Sequence, residues 1–407
     1  MSLEPVSFLP AWPIALPDLA KFCVALIVAM LVGEWAERVV RLPRIAGYVI
    51  TGLVLSQFAG LINDPSLRLV STLVDTAIGM ILFELGQRVS FGWIKRNPWL
   101  LATSLLESGL AFGAVFVVLI LLDMRAPLAA ILAAVSMATS PAVVMTVARD
   151  LRAQGQVTER LMLLTALNNI YAVFTVSMLF AWLHLEYRHD AYTIYLHPVY
   201  LLAGSIVLAG AAAYLLLGLL EYLDKRRGTQ VLCVITLVIV ATMLAEALKF
   251  SPALTALAFG AFSRSMDRKR HFASLDFGDA GLIIIVAFFV LTGSMLDVRF
   301  SVTALLAALG LVAARGFAKL VGIIVLGRPS GIRVRKSSLV AIGMLPMSGL
   351  ALLLARDALA LYPHIGRDAA GILPAAVLIL EIVGPLAVTY VLKTSGEAGE
   401  EGHHGRP

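Results

Sequence analysis

Charged residues are scarce in this chain: Asp, Glu, Lys and Arg make up 14% of its 407 residues, where a soluble chain carries about 25%. Hydrophobic residues reach 60%, with a mean hydropathy of +0.91. A water-soluble globule is excluded. The apolar runs, such as Phe22 to Gly33, lack the in-out alternation of barrel strands, and lipid admits only helices and closed barrels. The fold is therefore expected to be an all-α integral membrane protein. Only two cysteines are present, Cys23 and Cys233, both inside apolar spans; they read as small core residues and leave the redox compartment undefined. A Walker motif, a dinucleotide fingerprint and a metal-ligand cluster are all missing, which argues against an ATP-driven pump, an enzyme or a cofactor protein. The glycine-rich run from Gly204 to Gly218 follows no strand and suits close helix packing in a bilayer. The first span lacks a basic leader and a small-residue cleavage site and reads as a retained helix.

What the chain has instead is thirteen apolar spans, near 16–38, 45–61, 69–90, 98–122, 127–149, 158–184, 196–220, 229–248, 252–266, 279–297, 302–327, 337–361 and 368–392. Basic residues test that count, because cytoplasmic loops collect Lys and Arg. Alternate loops hold Arg38, Arg41 and Arg44; Arg88, Lys95 and Arg96; Arg149, Arg152 and Arg160; Lys225, Arg226 and Arg227; Arg264, Arg268, Lys269 and Arg270; Arg328, Arg333, Arg335 and Lys336; then Lys393 and Arg406. That is 22 of the 32 basic residues. A miscounted helix would scramble the alternation, so the N-terminus is expected outside and the C-terminus in the cytoplasm, as for a multi-pass protein of a bacterial inner membrane. The net charge of +6 then reflects topology and gives no reason to expect nucleic acid as a partner. Trp12, Trp35, Trp93, Trp99 and Trp182 fall near span ends, as interfacial anchors do. Residues 393–407, rich in Gly and Glu and containing His403 and His404, read as a short disordered cytoplasmic tail.

Two spans in opposite halves carry a proline-centred break: Thr139-Ser140-Pro141 in the fifth, and Leu345-Pro346-Met347-Ser348-Gly349 in the twelfth. Broken backbone exposes N–H and C=O groups that hydrocarbon cannot solvate, so it persists only around a protected cavity. One break alone reads as a kink. Two, offset by seven helices, give the arithmetic of inverted repeats with helix seven as linker. Gly343 and Gly349 permit unwinding around Pro346, and the hydroxyls of Thr139, Ser140 and Ser348 lie beside the breaks.

The chain resembles the transmembrane domain of the monovalent cation:proton antiporter-2 family, the Kef-type and sodium/proton exchanger group. The likeness runs over about residues 15–392. It is carried by Gly47-Tyr48-Val49-Ile50-Thr51-Gly52, by Ala245-Glu246 with Ser251-Pro252-Ala253-Leu254 and Phe259-Gly260, by Phe288-Phe289-Val290 with Gly293 before Asp297, and by Arg315, Lys319 and Gly322. The resemblance implies a sodium/proton antiporter-like fold and a homodimer. It implies a scaffold (helices about 16–90 and 229–297), a linker helix (196–220) and a mobile core (about 98–184 and 302–392) in which the two broken helices cross. It also implies exchange of Na+ or K+ for protons as the core moves past the scaffold, a secondary active transport that needs no cofactor.

The family places an aspartate in the helix after the first break, and the matching pair here is Asn168-Asn169. A carboxylate holds either a cation or a proton, whereas asparagine offers a cation its carbonyl oxygen but does not titrate. Other ionisable groups lie deep enough to replace it. Glu107 is nine residues past Pro98, about 14 Å into a 30 Å core. Glu381 is thirteen residues into the last helix, and Lys319 seventeen into helix eleven with Arg315 one turn earlier. Charge at that depth requires pairing, so Lys319 and Arg315 are expected to be balanced by Glu107 and Glu381. Asp75, Glu84 and Glu246 are further carboxylates within spans, with Glu246 read as scaffold; Glu34 and Glu37 are expected to reach the inner interface by snorkelling or by pairing with Arg38 and Arg41. Three functional readings follow. One is a monovalent cation:proton antiporter whose proton rides on Glu107 or Glu381. Another is a transporter of the same fold for a cation or other solute, even an anion, without proton exchange. The last is a sensor or scaffold that no longer transports.

Overall fold

The structure, a computed structural model, describes residues 18–40, 42–59, 68–89, 91–188, 191–223, 227–267, 278–294, 296, 301–347, 351 and 371–399. Among them are fifteen α-helical segments, one π-helical turn and no strand. In order they are α1 (Asp18–Trp35) with its π-helical extension Ala36–Val40, α2 (Arg44–Ala59), α3 (Arg68–Arg88), α4 (Phe91–Arg96), α5 (Pro98–Leu121), α6 (Ala126–Ser136), α7 (Pro141–Asp150) and α8 (Gln156–Arg188). There follow α9 (Ala191–Tyr222), α10 (Arg227–Ala247), α11 (Pro252–Met266), α12 (Gly278–Ser294), α13 (Val302–Gly327), α14 (Val334–Gly343) and α15 (Ile372–Thr394). The surface stub α4 joins two spans, and α6 and α7 are two halves of one. The count of thirteen spans therefore holds. By length and hydropathy alone, seven of the described helices suffice to cross a bilayer.

Helix starts follow local chemistry. Asn97, Ser140, Ser251 and Ser301 each accept a backbone N–H from the first turn of the following helix, and Pro98, Pro141 and Pro252 occupy its opening positions. A proline there is pre-shaped for the helix and forfeits no hydrogen bond. Pro141 thus starts a half-helix instead of kinking a continuous one.

The packing divides by chemistry. α2 lies on α12 and α3 on α11 through glycines set against bare backbone. A Cβ on Gly52 would stand 1.9 Å from the Val290 carbonyl oxygen, and one on Gly293 2.1 Å from that of Val49. The α3–α11 pair repeats this with Gly260 at 1.9 Å from Phe83 O and Gly86 at 2.0 Å from Leu257 O. Small residues bring backbones together where lipid supplies no hydrophobic drive between helices. α9 covers α11, α5 packs lengthwise on α13, and α15 packs on α7, α13 and α14.

The described residues after α15 fold back toward the start of α8, with the Gly399 N–H donating to Leu151 O at 2.9 Å. The Glu397 carboxylate accepts the Val157 and Thr158 backbone N–H groups at 2.9 and 2.8 Å, capping α8 from 240 residues away in sequence. Gly155 makes the approach feasible, since a Cβ there would stand 2.3 Å from the Glu397 Cδ. His403 and His404 lie outside the described residues. Trp35, Trp99 and Trp182 are exposed, as membrane anchors require; Trp12 and the Trp93 side chain are not described.

Candidate functional site

The two breaks meet. α6 ends at Ser136 and α7 begins at Pro141, while α14 ends at Gly343 and the chain continues without helix through Met347. The Ser140 N–H donates to the Pro346 carbonyl at 3.0 Å, and the Thr139 hydroxyl to Met344 O at 3.4 Å. The backbone groups freed by one break are therefore satisfied in part by the other. Ser348 and Gly349 fall outside the described residues. Gly343 remains helical, and a Cβ on it would stand 3.1 Å from the Leu161 methyl carbons. Its value is small size against α8, and the break does not draw on its conformational freedom.

Arg315, on α13 and fully buried, holds the crossing together. Its Nε donates to Ser136 O at 2.8 Å, one terminal nitrogen to Leu345 O, and the other to Ala138 O at 2.9 Å and to Met344 O and Pro346 O at 3.2 Å. These carbonyls end α6 and α14, where two helix dipoles place partial negative charge. A cation between them offsets both ends at once. This corrects the expectation that Arg315 is paired with a carboxylate; its hydrogen-bond partners are backbone oxygens and, at 3.5 Å, the Thr139 hydroxyl.

Lys319, one turn further on, does pair with a carboxylate. Its Nζ lies 2.9 Å from Glu107 Oε2 and 3.3 Å from Met137 O, with both side chains fully buried. Gly322 allows this closeness, because a Cβ there would lie 2.5 Å from the Glu107 Cα. From the pair a polar chain runs back to the crossing. Ser108 Oγ sits 3.4 Å from Glu107 Oε1 and donates to Asn168 Oδ1 at 2.8 Å, and Asn168 Nδ2 donates to Thr139 Oγ1 at 3.3 Å. Asn169 Nδ2 donates to Thr139 O at 2.9 Å and Thr165 O at 2.8 Å.

Among the buried polar atoms without a hydrogen-bond partner among the described residues, the Asn169 Oδ1 and both oxygens of Glu381 lie closest to this chemistry. Asn169 also lines a small cavity of about 10 Å³ with Leu82, Ile170, Val173, Ala253, Leu254 and Leu257, where α8 faces α3 and α11. That is room for about one water molecule. Glu381 corrects the expected ion-pair scheme, for it neutralises neither Lys319 nor Arg315. It sits on α15 one turn before Gly384, whose missing side chain admits Pro346: a Cβ there would stand 2.9 Å from the proline ring.

Thr139, Asn168 and Asn169 are thus brought together at the crossing, Ser140 caps α7 beside them, and Lys319 and Glu107 form one adjoining pair. Sequence reading missed Ser108 and Thr165, whose relevance comes only from helix packing, and missed the carbonyls of residues 136–138 and 344–346. The proline breaks were a signal for those carbonyls, since every broken helix end leaves acceptors unmet. Among the other carboxylates, Glu34 pairs with Arg38 at 2.6 Å as expected, and Arg44 joins both Glu34, at 3.2 Å, and Glu37. Glu246 is exposed. The Arg41 and Asp75 side chains are not described.

A family model, sodium/hydrogen exchanger, transmembrane, matches residues 24–394. The chain belongs to the sodium/hydrogen exchanger family. Among solved structures, that of the sodium proton antiporter MjNhaP1 from Methanocaldococcus jannaschii at pH 8 is similar with a TM-score of 0.66 and 19% identity, covering 94% of this chain and 96% of that one. An electron-microscopy structure of MjNhaP1 gives a TM-score of 0.68 at 17% identity over 96% of this chain and 98% of that one. Nothing among curated proteins matches the sequence. At these identities the likeness concerns the fold: an exchanger-type membrane protein with two discontinuous helices crossing between inverted repeats.

Proposed function

We propose that the chain is a secondary transporter that exchanges a monovalent cation, Na+ or K+, for protons. The cation would be held at the crossing by neutral oxygens, among them Thr139 and the carbonyl of Asn169, with Ser140 and Asn168 adjacent; Ser348, expected from the sequence to join them, lies outside the described residues. The proton would ride on Glu381. The carrying observation is chemical: among the described residues, Asn169 leaves its oxygen unpartnered beside a cavity and Glu381 is a buried carboxyl with no partner, while Glu107 is already committed to Lys319. A bare buried anion is expensive and a protonated acid is cheap, so such a group suits alternate loading with a proton and release to water. In this reading α5–α8 and α13–α15 form the moving core, α1–α3 and α10–α12 the scaffold of a homodimer, and α9 the linker. Alternation of basic residues supports an outside N-terminus and a cytoplasmic C-terminus in a bacterial inner membrane.

A second reading, cation transport without proton exchange, is favoured by Asn169 itself, which cannot titrate. Two others carry less. An anion site is disfavoured because Lys319 is neutralised by Glu107, and a sensor or scaffold that has lost transport does not account for the unpaired Glu381. Proteoliposomes loaded with an interior pH dye separate these readings. A Na+ or K+ gradient is expected to drive proton movement that Glu381→Gln abolishes. Cation uptake with a silent dye would replace exchange by the second reading, and absence of any flux would end the transport assignment.

A further inference from the structure

The seam between the proposed core and scaffold is apolar around Leu82, Val173, Ala253 and Leu257, but polar at one end. There α7 finishes with Arg149 and Asp150. The Arg149 guanidinium pairs with the Glu84 carboxylate of α3, with 32% and 13% of the two side chains exposed. Asp150 lies within electrostatic reach of Arg44 on α2 and of Glu37, and Arg44 is itself held by Glu34 at 3.2 Å and by Glu37. The ion pair that joins the end of α7 to the scaffold is therefore Arg149–Glu84, while the exposed Asp150 meets a cluster of both signs.

We propose that the Arg149–Glu84 pair is a latch that keeps the seam shut at this end while the core occupies its present position. The inference rests on the reading that α5–α8 and α13–α15 move against α1–α3. A displacement of α7 by one helical turn, about 5.4 Å, separates Arg149 from Glu84, so the latch must break before the Asn169 cavity opens toward this face. A partly exposed pair is weak enough to break on each cycle and strong enough to bias the resting position.

The test reads access to the cavity and does not depend on ion flux. In a full-length chain with Cys23 and Cys233 replaced by alanine, Ala253→Cys serves as reporter, labelled by a membrane-impermeant maleimide applied to sealed vesicles of each orientation. Glu84→Gln and Arg149→Gln are each expected to raise labelling from the Arg149 face by about three- to tenfold, and the exchange Glu84→Arg with Arg149→Glu to return it toward the starting rate. A second variant covers misfolding of these: Glu84→Cys with Arg149→Cys, oxidised to a disulfide, is expected to block labelling from that face until reduced. Unchanged labelling in both single variants, an exchange that fails to restore, or a cross-link without effect would overturn the latch. Labelling that responds in a protein giving no flux would keep the latch and sink transport instead.

Discussion

The α2–α12 and α3–α11 seams and the α6–α14 crossing solve the same problem of close backbone approach by opposite means. The seams remove side chains, with Gly52, Gly86, Gly260 and Gly293 leaving backbone against backbone about 2 Å from where a Cβ would be. The crossing keeps its polar groups and satisfies them, with Arg315 alone donating to five carbonyls. A glycine seam has one arrangement and resists displacement. A crossing built of hydrogen bonds between broken ends can exchange partners, which suits the part of the molecule that must handle an ion.

That contrast predicts unequal responses to mutation. The largest effect is expected in the crossing's ion pair. Glu107→Gln leaves Lys319 charged in a dry interior, and loss of one partner of such a pair costs about 3–5 kcal/mol. Replacing both, Glu107→Gln with Lys319→Met, is expected to recover most of that, as read by thermal unfolding of the detergent-solubilised protein. If the double variant were no more stable than the single one, the pair would not be the self-contained unit its 2.9 Å geometry describes.

In the seams the penalty is steric and has no second-site partner. Gly260→Ala sets a methyl 1.9 Å from Phe83 O, a backbone atom that moves only with its helix. Overpacking of this kind costs about 3 kcal/mol, whereas Gly210→Ala, on α9 with open space around it, is expected to change stability by less than about 0.5 kcal/mol. Equal melting temperatures for the two variants would remove the distinction between seam and surface glycines.

Much of this was legible in residue order. Apolar runs gave thirteen spans, because burial in lipid imposes length and hydropathy on every crossing helix. Pro141 and Pro346 marked the broken segments, since proline at such depth demands compensation. The compensation itself was not legible. That Arg315 turns to carbonyls and not to Glu381 depends on where α6 and α14 end in space, and that Glu397 caps α8 depends on a contact across 240 residues. Spacing along one helix identifies a face, but the partner across the interface comes from packing. The Asn168-Asn169 pair stood out as a departure from the aspartate pattern of the exchangers that the chain resembles, yet the unpartnered Oδ1 of Asn169 became apparent only once its Nδ2 was seen to be fixed by Thr139 and Thr165. Asn169→Asp is expected to place a titratable group at that point and to raise cation-driven proton movement in proteoliposomes. Unaltered exchange would mean that position 169 does not contact the carried ions.

The smallest effect on stability, and the most informative one, is expected from Glu381→Gln. If Glu381 rests as a neutral acid, an amide of the same shape replaces one uncharged polar group by another, and the melting temperature should stay within the equivalent of about 0.5 kcal/mol. If instead it rests as an unpaired anion, removing the charge relieves a desolvation penalty of several kcal/mol and the variant should be markedly more stable. Glu107→Gln runs the other way under the same measurement, because its carboxylate is already matched by Lys319. The two glutamates have equal burial and differ only in partnership, so a destabilised Glu107→Gln beside an unmoved Glu381→Gln would assign the fixed charge to one and the exchangeable proton to the other. Equal losses in both variants would mean that the Glu381 carboxyl is anchored by an interaction as strong as an ion pair, and the proton carrier would then have to be sought elsewhere.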